Sequence, residues 1–214
     1  MNIAKFKKLP IMGILRDVKS DAIKPLTETV ISSGLKTVEI TMNTANAPEL
    51  IRRMKKAACR RLTVGAGTVL TMNHLRNALD AGATFIVLPT LVEDVVGYCV
   101  KHKIPVFPGA FTPQEIYNAY RAGATMVKVF PAKFFGPGYF KEIKAPFKNI
   151  RLLACGGVTP ETIKSFFDSG ASAVAIGASV FKKEWIARKE FFRIEEAIKE
   201  LIDKRFNNKK QKLS

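Results

Sequence analysis

Histidine and cysteine are scarce in this sequence: among 214 residues there are 2 histidines and 3 cysteines. His74 and His102 stand far apart in helix-like segments, and Cys59, Cys99 and Cys155 include no Cys-x-x-Cys pair. This scarcity excludes a histidine-rich divalent centre, a thiolate zinc site and a disulfide framework. No metal is expected, and a reducing cytoplasmic setting fits. Long apolar runs are missing as well. The N-terminal stretch MNIAKFKKLPIMGIL has basic residues but only a short apolar run and no small-residue cleavage site, so a soluble, unexported chain without membrane association is expected. Acidic residues are in short supply, 18 against 35 Lys and Arg, for a formal net charge of +17. The positive residues are scattered along helix-like segments (RRMKKAACRR, KHK, KEIKAPFK, FKKEWIARKE) without zinc-finger spacing or an aromatic RNA-binding segment. They read as a solvated cationic surface rather than a nucleic-acid site.

What the chain does have is an internal repeat. SGLKTVEI (33–40), AGATFIVL (81–88), AGATMVKV (122–129) and SGASAVAI (169–176) each place a glycine at the end of a helical stretch and then a β-rich run. That is the pattern of a left-handed helix C-cap followed by a strand. Between them lie four more strand candidates: IMGIL (11–15), LTVGAG (62–67), PVFPG (105–109) and RLLACGG (151–157). Strands alternating with helices at this spacing predict right-handed βαβ crossovers and a parallel sheet buried on both faces. The repeat, with no Gly-x-Gly-x-x-Gly fingerprint, favours an α/β fold of the compact (β/α)8 TIM barrel type over an open doubly wound sheet. With 47% hydrophobic residues, the length suits one core. The expected organisation is a single barrel domain over residues 1–206 with a basic, disordered tail at 207–214.

The repeat also gives a register. Five residues beyond each glycine stand Glu39, Val87, Lys128 and Ala175, and alternate strands of such a barrel share an interior layer. Strand alternation turns Thr37, Glu39 and Thr41 inward, together with Met126, Lys128 and Phe130. A charged lysine buried without compensation costs several kcal/mol, so Lys128 is paired, deprotonated or functional. A neutral lysine attacks a ketone to give a carbinolamine and then a protonated Schiff base, an electron sink for carbon–carbon cleavage. Desolvation, or a neighbouring cation such as Arg16, favours the neutral amine. A glutamate in the same layer serves as the proton shuttle. After the seventh strand, CGGVTPETI (155–163) offers two glycine amides, with Thr159 expected as N-cap and Pro160 as the first helical residue. After the eighth comes the small-residue turn IGASV (176–180). Anion sites recur in those two loops of these barrels. From the residues alone two other readings stay open, a basic barrel that binds nucleic acid and a non-catalytic self-assembling barrel. In the first, Lys128 and Glu39 would form a structural ion pair.

Over residues 8–182 the motifs GILR, VEITMNT, VGAGTVL, FIVLPT, PVFPGAFTPQE, MVKVFPA, CGGVTPE and AIGASVF occur in order. In this the chain resembles the class I aldolases that cleave 2-keto-3-deoxy-6-phosphogluconate and 4-hydroxy-2-oxoglutarate. The resemblance implies Lys128 in KVFPA as Schiff-base lysine and Glu39 as proton-transfer residue. It brings Thr68, Pro89 and Phe130 to the substrate, and its phosphate to Gly156, Gly157 and Ser179. It also implies homotrimers, a phosphorylated keto acid as small-molecule substrate, and no metal or organic cofactor. Two departures stand out. Asn43 replaces an arginine that many members use for the substrate carboxylate, which leaves that task to Arg16 and backbone amides. Asn43, with FGPGYFK, is also similar to the 2-keto-3-deoxy-6-phosphogalactonate aldolases. Cys155 replaces a threonine often found before the glycine pair.

Overall fold

The computed structural model describes residues 1–206, and the tail expected at 207–214 lies outside them. In chain order the strands are β1 (Ile11–Leu15), β2 (Thr37–Thr41), β3 (Thr63–Gly67), β4 (Ile86–Val87), β5 (Val106–Phe107), β6 (Gly109–Ala110), β7 (Val127–Val129), β8 (Leu152–Cys155) and β9 (Ala173–Ile176). Each paired neighbour is parallel, in the order β5-β4-β3-β2-β1-β9-β8-β7-β6. The two edges of that list, β5 and β6, are one stretch of chain separated only by Pro108. The sheet therefore closes on itself, and the eight expected strands form an α/β barrel in which the fifth is broken. Proline explains the break, because it has no N–H to give to the ladder. Its carbonyl still accepts from the Lys128 N–H at 2.8 Å.

The repeat glycines do what the sequence pattern requires. Gly34, Gly82, Gly123 and Gly170 have φ of 88°, 89°, 94° and 99°, conformations that L side chains resist. In three of the four units the next residue (Ala83, Ala124, Ala171) donates back to Ala78, Ala119 and Phe166 at 2.9–3.2 Å. This second bond completes a Schellman cap, so each helix stops at the same point relative to the strand that follows. The start of a helix can be equally defined: Thr112 and Glu115 form a reciprocal capping box before helix Pro113–Arg121. The expectation of a helix opening at Thr159 and Pro160 needs correction, because the helix begins at Ile163. The Thr162 hydroxyl bonds the Gly157 carbonyl at 2.8 Å and accepts from the Thr159 N–H at 2.9 Å. Those bonds hold residues 157–162 as a turn.

Apolar side chains divide by strand face. Val38, Ile40, Val127 and Val129 point outward into the shell beneath the helices. Met12, Phe85, Val87, Phe107, Met126, Leu153 and Ala173 fill the barrel interior. Helix Ile3–Lys8 closes the N-terminal end of the barrel by inserting Phe6, whose ring meets Phe107 edge-on at 6.2 Å. Burying such side chains stabilises the fold by about 1.5–3 kcal/mol each, and it leaves the other end of the barrel for chemistry. Among the described residues no helix is long and apolar enough to cross a membrane.

Candidate active site

Glu39 and Lys128 reach the barrel interior from β2 and β7, 1% and 6% exposed. Val87 and Ala175 are the small apolar members of the same set, as the repeat register predicts. One level further toward the open end, Gly67 faces Glu39 so closely that a Cβ there would lie 2.4 Å from the Glu39 Oε1 atom. The glycine thus makes the room that the carboxylate occupies. Above the pair opens a cavity of about 700 Å³, lined among others by Arg16, Phe130, Cys155, Gly156, Gly157 and Ser179.

The electrostatics of this pair differ from those of a structural salt bridge. Among the described residues no ion pair joins Lys128 to Glu39, and the Glu39 Oε2 atom is buried with no hydrogen-bond partner. Burial pushes the Glu39 carboxyl above its ordinary range, and the opposing pull of Lys128 and Arg16 only reduces that rise. A carboxyl tuned upward in this way holds and releases a proton closer to neutral pH than a surface glutamate does. The Lys128 Nζ atom stands 5.0 Å from the centroid of the Phe130 ring. Burial also pushes the Cys155 thiol up, partly offset by Lys128, so Cys155 acts as a small neutral wall of the cavity.

At the far side of the cavity, Gly156 and Gly157 hold positive φ of 93° and 79°. Gly157 is packed against Lys133, where a Cβ would come within 2.7 Å of the Lys133 Cβ. The Ser179 hydroxyl donates to the Val158 carbonyl at 2.9 Å, which ties the loop after β9 to the loop after β8. The turn made by this glycine pair and the adjoining loop that carries Ser179 thus form a cradle open to an anion.

Of the residues singled out from the sequence, the cavity brings together Lys128, Glu39, Arg16, Phe130, Gly156, Gly157 and Ser179. Thr68, Pro89 and Asn43 are not among its lining residues. Thr68 is half-buried just beyond β3 with φ of 54°, and Asn43 is exposed two residues after β2. The Pro89 carbonyl packs at the α-carbon of Gly109, where a Cβ would come within 2.0 Å of it. Sequence reasoning passed over Asp17, Lys182 and Lys183, which also line the cavity. The two lysines were counted among the scattered surface charges. Their position directly after the IGASVF turn was the available signal. Among the described residues no cluster of three or more His, Cys, Asp or Glu side chains is arranged to hold a metal ion.

A family model described as KDPG and KHG aldolase matches residues 3–197. The chain belongs to that family. The 2-dehydro-3-deoxy-6-phosphogalactonate aldolase of Escherichia coli (strain K12) is 33% identical over 176 residues, covering 82% of this chain and 86% of that protein. The 2-dehydro-3-deoxy-phosphogluconate aldolase of Haemophilus influenzae is 32% identical over 205 residues, covering 94% and 95%. Among solved structures, one described as native KDPGal superposes with a TM-score of 0.86 at 30% identity, covering 92% of this chain and 94% of that one. The 2-keto-3-deoxy-6-phosphogluconate aldolase of Zymomonas mobilis ATCC 29191 gives 0.81 at 29% identity, covering 94% and 96%. This KDPG/KHG-family chain is a class I, Schiff-base aldolase, and its reaction is carbon–carbon bond cleavage.

Proposed function

We propose that this aldolase cleaves a 2-keto-3-deoxy-6-phospho sugar acid to pyruvate and glyceraldehyde 3-phosphate, with Lys128 as nucleophile and Glu39 as proton shuttle. The observation that carries the assignment is the burial of Lys128 beside Glu39 at the floor of the cavity, without an ion pair between them. The neutral Lys128 amine adds to the C2 ketone, and loss of water from the carbinolamine gives the iminium. Ionised Glu39 takes the proton of the C4 hydroxyl. The C3–C4 bond breaks, its electrons flow into the iminium to form an enamine, and the aldehyde departs. Glu39, now protonated, returns the proton to C3, and water hydrolyses the resulting imine to pyruvate and the free amine. Arg16 orients the pyruvate half, while the backbone amides of Gly156, Gly157 and Ser179 receive the phosphate. Phe130 shapes a wall of the cavity.

Within this substrate class the gluconate series is the first reading, in keeping with the Haemophilus influenzae relative that matches 94% of the chain. The galactonate series is the second, favoured by Asn43 and by the Escherichia coli relative at 33% identity. Unphosphorylated 4-hydroxy-2-oxoglutarate would give pyruvate and glyoxylate by the same steps. We also propose a cytoplasmic homotrimer. Its apolar contact area would come from exposed Phe134 and Phe135, 68% and 57% accessible in one chain. A 30%-identical chain of a cage designed by fusing symmetric oligomeric domains is consistent with such assembly. The test of the mechanism is borohydride reduction with pyruvate followed by peptide mass mapping. The adduct is expected on Lys128, and Lys128→Met is expected to abolish both adduct and turnover. An adduct on another lysine of active protein overturns the assignment. Pyruvate release from the three keto acids in parallel ranks the substrates.

A further inference from the structure

Arg16 borders two spaces. Together with Asp17 and Lys183 it lines both the catalytic cavity and a neighbouring cavity of about 390 Å³, which is otherwise walled by residues such as Pro25, Ile186 and Phe191. The three shared residues are the partition between the two spaces. Asp17 is the most restrained of them. Its φ is 55°, a left-handed conformation that non-glycine residues adopt only when their surroundings hold them there. Its N–H donates to the Thr44 hydroxyl at 3.0 Å, and Thr44, 5% exposed, shares a 3.0 Å hydrogen bond with Thr41 at the end of the strand that carries Glu39. Its carboxylate accepts from the Lys183 ammonium at 2.7 Å, across the mouth of the cavity. Lys183 opens the helix Lys183–Ala187 that follows β9. Asp17 is thus fixed by its backbone to the loop after β2 and by its side chain to the helix after β9.

We infer that Asp17 is a positioning residue, which holds Arg16 on the catalytic side of the partition through the Thr44 and Lys183 contacts. An exposed ion pair contributes little to stability by itself, so stabilisation of the fold is a poor account of two restraints converging on one strained residue. What they accomplish is to remove the alternative position of the adjacent guanidinium. Arg16 then stays within reach of Glu39 and Cys155, on both of which its charge acts. The entropy of holding that side chain is spent before substrate arrives, and this lowers KM without touching the chemical step. The inference rests on Arg16 binding the keto-acid half, as proposed above.

The experiment compares Arg16→Ala, Asp17→Gly, Thr44→Val and the double variant Arg16→Ala/Asp17→Gly by steady-state pyruvate release on the best of the three keto acids. Glycine keeps the left-handed backbone and removes only the carboxylate. Asp17→Gly is expected to raise KM about tenfold with kcat held, Thr44→Val to do the same in smaller measure, and Asp17→Asn to recover part of the loss. In the Arg16→Ala background, Asp17→Gly is expected to add nothing, since its effect passes through the arginine. If Arg16→Ala raises KM while Asp17→Gly and Thr44→Val leave it unchanged, the positioning role is overturned and the binding role of Arg16 stands. Full additivity of Arg16→Ala and Asp17→Gly overturns it too, because Asp17 would then act independently. An unchanged KM in Arg16→Ala removes both roles together. Should Asp17→Gly fail to fold, Thr44→Val alone and combined with Arg16→Ala carries the same comparison.

Discussion

Gly67→Ala is the most informative single change in the catalytic centre, because it moves the Glu39 carboxylate without altering its chemistry. The new Cβ would lie 2.6 Å from the Glu39 Cδ atom and 2.4 Å from Oε1, whereas ordinary carbon–carbon contact begins near about 3.5 Å. The carboxyl carbon must withdraw by roughly 1 Å. Gly67 does not hold a positive φ, and the obstructing atoms are the far end of a side chain. The fold can therefore absorb the change for about 1 kcal/mol. A misplacement of about 1 Å at the reacting centre costs on the order of 10²-fold in rate, equivalent to ~2.7 kcal/mol in the barrier. Turnover measured by coupled pyruvate release should fall by about that factor. Borohydride trapping of the pyruvate adduct on Lys128 should persist, because imine formation does not need the carboxylate in its original place. A thermal melt checks that the barrel is intact. Undiminished turnover in a folded Gly67→Ala protein would refute the reasoning, since proton transfer would then not depend on where the Glu39 carboxylate stands.

Other consequences can be checked in parallel. Glu39→Gln should leave some imine formation and remove most turnover, and a glutamine variant with full turnover would mean that Glu39 is misassigned. The same variant reports on pH. Because burial raises the Glu39 pKa, the native state keeps its proton to higher pH than the unfolded chain does. The stability contributed by that protonated form is complete below the ordinary value of 4.5 and is lost as pH rises to the raised value. The Tm advantage of Glu39→Gln over the unmodified protein should therefore widen with pH across that window, read by thermal melts in a pH series. Gly157→Ala forces a side chain into a positive φ of 79° and against Lys133. It should raise KM for phosphorylated acids by roughly tenfold to a hundredfold, as expected for losing a hydrogen bond to a charged group, and leave KM for 4-hydroxy-2-oxoglutarate unaffected. Phe6→Ala empties the closed end of the barrel and should lower stability by about 3–5 kcal/mol in denaturant titrations. It should leave KM unchanged, since Phe6 lies at the opposite end from the cavity.

Much of this architecture is local in origin, and that is why it could be read in the sequence. A glycine that stops a helix at a fixed point sets the phase of the next strand, so counting from Gly34, Gly82, Gly123 and Gly170 was enough to put Glu39 and Lys128 in one layer. The break at Pro108 was legible only as a proline inside a strand candidate. That its two halves serve opposite neighbours depends on closure of the whole sheet. The helix expected at Thr159 starts at Ile163 because the Thr162 hydroxyl reaches the Gly157 carbonyl, a competition between side chain and backbone that propensity does not encode. Asp17 and Lys183 were invisible as a pair because 166 residues separate them in the chain. Insertion of Phe6 into the barrel has the same character, since an amphipathic N-terminal segment carries no mark of what it will cover.

That inserted phenylalanine makes the barrel a vessel with one mouth. Among the described residues the space beneath Lys128 is filled by Phe85, Met126, Phe107 and Leu153 and then by Phe6, so reactants and products share the route through the cavity. Traffic along it has to be ordered. The aldehyde, nearer the opening and never bonded to the protein, leaves first, and pyruvate, tethered at the floor, leaves last. In the synthetic direction the queue reverses, and the enzyme must load pyruvate before it can accept an aldehyde. Aldehyde that enters an unloaded barrel can only block it, so inhibition by excess aldehyde should be relieved by raising pyruvate.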